Sequence, residues 1–66
     1  MDYQTDKITF TVELTRPEAW ALAQFVKRTT HQDCADNAMG EDEAYEMMRG
    51  INAVMRGLME IGINPR

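Results

Sequence analysis

The chain has 66 residues, 44% of them apolar and 27% charged, and its mean hydropathy is -0.48. That is the composition of one small globular domain, and it excludes a disordered tail, a membrane span or a domain large enough to enclose a deep catalytic cleft. Eleven acids against seven bases leave a net charge of -4, which argues against capture of nucleic-acid phosphates by the surface as a whole.

No basic and then apolar leader opens the sequence, which predicts a cytoplasmic protein. The one cysteine, Cys34, cannot form an internal disulfide, so stability has to come from packing, within the chain or shared with a second subunit.

Residues 1–6 are expected to be a flexible N-terminus. From Lys7 to Leu14 the sequence alternates strictly, with Ile8, Phe10, Val12 and Leu14 on one side and Lys7, Thr9, Thr11 and Glu13 on the other. This period of two predicts a half-buried strand over 7–14. Thr15, Pro17 and Glu18 then place a hydroxyl cap, a first-turn proline and a reciprocal carboxylate at a helix start, predicting a helix over 16–29. Ala19, Leu22, Ala23 and Val26 form its apolar stripe, flanked by Trp20 and Phe25, and Gln24 and Arg28 face water.

Residues 30–40 fit a loop or a short helix equally. A longer helix follows over 41–61, with Met47, Ile51, Val54, Leu58 and Ile61 spaced 4, 3, 4, 3 and methionines in the adjacent row. Gly62 suits the position just past its end, Pro65 blocks continuation, and 62–66 is a tail. These elements make a single α+β domain. A lone strand has unpaired backbone groups, so it must find either a poor second strand within the chain or a second copy in a homodimer through Lys7 to Leu14.

Enzymatic chemistry finds little support. His31 and Cys34 lie three apart, but no orienting third group or oxyanion site accompanies them. Metal ligands are too few for a zinc site, the calcium-loop spacing is absent, and no phosphate- or dinucleotide-binding glycine motif occurs. The expectation is a non-enzyme with no metal and no cofactor.

Charge distribution says more. Between Thr29 and Met48 stand Asp33, Asp36, Glu41, Asp42, Glu43 and Glu46 without one Lys or Arg, whereas the rest of the chain is net positive. Helix-dipole preference explains acids in the first turn of the last helix, and leaves Asp33, Asp36 and Glu46 unaccounted for. Both a solvated face and an acidic docking surface for a basic partner fit this run. Gly50 and Gly57, inside a helix, suggest that another backbone approaches closely there.

The TRPEAWALAQFVKR helix after a strand, the DEAYEMM helix start and the PR ending resemble a group of small bacterial proteins, of mobile-element type, that are poorly characterised. In size, acidity and lack of catalytic motifs the chain also resembles anti-CRISPR proteins directed at type I effectors. That resemblance implies that the six acids mimic DNA phosphates and occupy the basic DNA site of a nucleic-acid-binding complex, with no direct binding of nucleic acid. The order strand, helix, connection, helix is shared with ribbon-helix-helix regulators and antitoxins. In that alternative the outward Lys7, Thr9, Thr11 and Glu13 would face bases, against repulsion from Glu41, Asp42 and Glu43.

Overall fold

In a computed structural model, residues 6–66 are described, and among them the structure is all-helical. Three helices follow one another: α1, Arg16–Arg28; α2, His31–Asn37; and α3, Glu41–Glu60. The α+β class expected above is therefore incorrect. Residues 7–14, the expected strand, form an arm without regular secondary structure or a ladder partner among the described residues. Alternation specifies which side chains share a side, but a strand also needs a neighbour for its N–H and C=O groups, and none lies among the described residues. The expected flexibility of 1–6 falls, for residues 1–5, outside the described part.

Each helix boundary has a local chemical cause. At α1 the Thr15 hydroxyl accepts the Glu18 N–H at 3.2 Å while the Thr15 N–H donates to Glu18 Oε1 at 2.9 Å, closing a capping box. The helix ends at Thr29, whose N–H and hydroxyl both donate to the Phe25 carbonyl. A second capping box, Thr30 with Asp33, starts α2 inside the segment left open between loop and helix.

Helix α3 starts from Gly40, which offers no side-chain cap; Glu43 instead reaches back to accept the Met39 N–H at 2.6 Å. At its far end Gly62 takes φ +91°, a left-handed conformation that favours glycine. The Ile63 N–H donates to the Leu58 carbonyl at 2.9 Å and the Gly62 N–H to that of Met59 at 3.0 Å. These are the paired bonds of a Schellman motif, and the Leu58 and Ile63 side chains supply its apolar contact in the core. Lys27 then donates to the Pro65 carbonyl at 3.1 Å, tying the tail to α1.

Helix α3 is the spine, and α1 and α2 pack on it separately. The core is made of small side chains: Ala19, Ala23, Val26, Cys34, Ala44, Leu58 and Ile63 are buried, and no large side chain is fully enclosed. Alanines let helices approach closely but remove little apolar area from water. The 4, 3, 4, 3 stripe of α3 divides accordingly. Leu58 is buried and Met47 and Ile51 half-buried, but Val54 and Ile61 are exposed. At 3.6 residues per turn a seven-residue repeat drifts around the helix, and these two rotate out of the core.

Two further expectations need correction. Gln24 is half-buried rather than facing water, and its Oε1 is buried with no hydrogen-bond partner among the described residues. Gly50 and Gly57 have nothing within 4 Å of where a Cβ would stand, so no described element of this chain makes the close approach inferred for them.

A candidate acidic docking surface and an open apolar groove

The six acids singled out in the sequence occupy α2 and the first two turns of α3. Two contacts hold these segments together. The His31 and Tyr45 rings meet with centroids 4.8 Å apart at 45°, and Cys34 Sγ lies 3.4 Å from Met48 Sδ. Cys34 is buried and His31 exposed, so the two residues are committed to different partners on α3 and both serve to dock α2. Among the described residues no cluster of three or more His, Cys, Asp and Glu has metal-site geometry.

Within this acidic end the carboxylates differ in what they do. Asp33 accepts the Thr30 N–H at 2.9 Å as part of its cap, and Glu43 is the substitute cap of α3. Asp36 accepts from the Gln32 amide at 2.8 Å. All three interact with uncharged donors, which leave the negative charge uncancelled. Glu46 is paired with a cation, lying 2.9 Å from Arg49 in an exposed pair one helical turn long; such pairs are worth roughly 0–1 kcal/mol.

Successive residues on a helix are separated by about 100°, so Glu41, Asp42 and Glu43 fan around α3 instead of sharing one side. Asp42 and Glu46 lie with Tyr45 and Arg49, whereas Glu41 lies with His31 and Met39 across a separate shallow hollow. The acids are therefore spread around the start of α3 and along α2, and they do not share a single face.

A second feature went unnoticed in the sequence. Because α1 and α2 pack on α3 without packing on each other, an open groove of about 910 Å³ remains between them, lined among others by Phe10, Phe25, Cys34, Ile51 and Val54. A second hollow of about 700 Å³ adjoins it along α1 and α3, where Val12 and Leu14 of the arm meet Leu22 and Leu58. Phe10 and Val54 belong to both. The signal was present in the alternation of 8–14, which marks one side of the arm as apolar.

The chain belongs, over residues 1–66, to a family of unknown function, DUF7706. Neither the curated proteins nor the solved structures contain a match to it.

Proposed function

We propose that this chain is a non-catalytic binding protein whose acidic α2–α3 end docks on a basic, nucleic-acid-binding partner and occupies that partner's DNA site. The partner class is a type I CRISPR effector complex or a complex with a similarly basic groove. One observation carries the reading. Asp33, Asp36, Glu41, Asp42, Glu43 and Glu46 are all exposed on α2 and the start of α3, segments joined by the His31–Tyr45 and Cys34–Met48 contacts, with Arg49 the one cation bonded to any of them among the described residues. An unneutralised cluster of this kind raises self-repulsion, which a complementary partner removes, and complementary charge also accelerates encounter.

The test is binding of the purified chain to a type I effector complex. Asp36, Asp42 and Glu46 are chosen for reversal to lysine because none of them caps a helix. The triple variant should keep its helical circular dichroism and lose partner binding by at least about tenfold at 150 mM salt, for three removed and reversed charges. Binding equal to that of the parent removes the acidic end from the mechanism.

A second reading, a dimeric DNA-binding regulator, is favoured by one observation: the arm bearing Lys7, Thr9 and Thr11 is exposed along its whole length. Saturable, salt-sensitive shifting of generic duplex DNA by the chain alone supports that reading and ends the mimic.

A further inference from the structure

The arm and the helix positions beside it carry exposed apolar side chains. Ile8, Phe10, Val12 and Leu14 are 91%, 80%, 63% and 38% exposed, and beside them Phe25 is 65% and Val54 42% exposed.

The arm's own sequence identifies what covers them. Read outward from Phe10, residues 7–13 are symmetric in character: Thr9 and Thr11, then Ile8 and Val12, then Lys7 and Glu13. The last pair is opposite in charge. Two copies laid antiparallel about Phe10 would place Thr9 opposite Thr11, Ile8 opposite Val12, and Lys7 opposite Glu13, each twice, with the two Phe10 rings at the twofold axis. Cross-strand Thr pairs, apolar pairs and opposite-charge pairs all stabilise such an arrangement. Shifting the register by two residues toward the C-terminus leaves Lys7 opposite Thr15 and Glu13 opposite Thr9, and loses both charge pairs.

We propose that a second copy of this chain is the occupant: residues 7–13 of two copies pair antiparallel about Phe10, and their apolar side covers the groove between α1 and α2 and the adjoining hollow along α1 and α3. The paired arms belong to the dimer, and each chain remains helical. An isolated two-stranded ribbon is marginal in water. Here Phe10 already lines the groove and, with Val12 and Leu14, the adjoining hollow, which provides the support a bare ribbon lacks. The interface is isologous and closes on itself, as a twofold requires. It is independent of the acidic end, so its failure and the failure of the docking reading are told apart by different variants.

Sedimentation equilibrium on the intact chain tests this. The parent should be dimeric at micromolar concentration. Lys7→Glu alone and Glu13→Lys alone each set like charges opposite one another twice, and should weaken the dimer by about tenfold or more. The double variant K7E/E13K restores both pairs and should recover the parent dimer. Mixing the two single variants should give a heterodimer tighter than either homodimer, an outcome specific to this register. Phe10→Asp should yield a monomer with unchanged helical circular dichroism. A parent that is monomeric at every concentration overturns the proposal. So does a dimer indifferent to F10D, or one that the double variant fails to restore.

Discussion

Gly57 and Gly62 are five residues apart, and replacing each with alanine should move stability in opposite directions. Gly57 lies inside α3, where glycine costs roughly 1 kcal/mol relative to alanine, and beyond the helix's own neighbouring backbone no described atom stands within 4 Å of the added methyl group. Gly57→Ala should therefore stabilise by about 1 kcal/mol. Unfolding entropy is about 2.1 cal/mol/K per residue, so for 66 residues that gain raises Tm by about 7 °C. Gly62 takes φ +91° to close the Schellman motif. A side chain there costs about 1–2 kcal/mol, lowering Tm by about 7–14 °C. The assay is thermal unfolding followed by circular dichroism at 222 nm, in a Phe10→Asp background so that association through the arm does not enter. A fall in Tm for Gly57→Ala would mean that another backbone lies against α3 there, and would refute the packing described.

Three further substitutions probe the interior and the cap of α1. Gln24→Met removes a buried oxygen that has no partner among the described residues; chemical denaturation should show stabilisation of about 1 kcal/mol, and a loss would mean the oxygen is bonded. Cys34→Ser places a hydroxyl where the thiol lies buried against Met48, and should destabilise by about 1–3 kcal/mol in the same measurement. Thr15→Ala opens the capping box of α1, with an expected loss of about 1 kcal/mol visible as reduced helicity near the transition.

What was legible in the sequence was local. Thr15 with Glu18 announces the start of α1, and the Gly62 to Pro65 ending announces the close of α3, because a cap is satisfied by atoms three to five residues away. The short α2 carries the same signal in Thr30 and Asp33, but seven residues give too little periodicity to separate a helix from a polar loop. The alternation of Ile8 to Leu14 was equally plain, yet a strand is a relation between two segments, and no second one stands among the described residues. The arm's self-complementary order becomes meaningful only once no described residue pairs with it.

At the acidic end the sequence revealed the concentration of charge and concealed its direction. Asp33 and Glu43 turned out to be helix caps, and Glu46 to be paired with Arg49. Which way six carboxylates point relative to one another depends on how α2 leans on α3, which rests on the His31–Tyr45 and Cys34–Met48 contacts between separate helices.

The docking reading is tested most directly by competition. A type I effector complex is saturated with the chain and then offered its fluorescent target duplex at 150 mM salt, with anisotropy and native mass spectrometry as readouts. Occupation of the DNA site predicts that chain and duplex exclude one another, each displacing the other in proportion to its concentration. A ternary complex holding both, or an effector that ignores the chain, contradicts it.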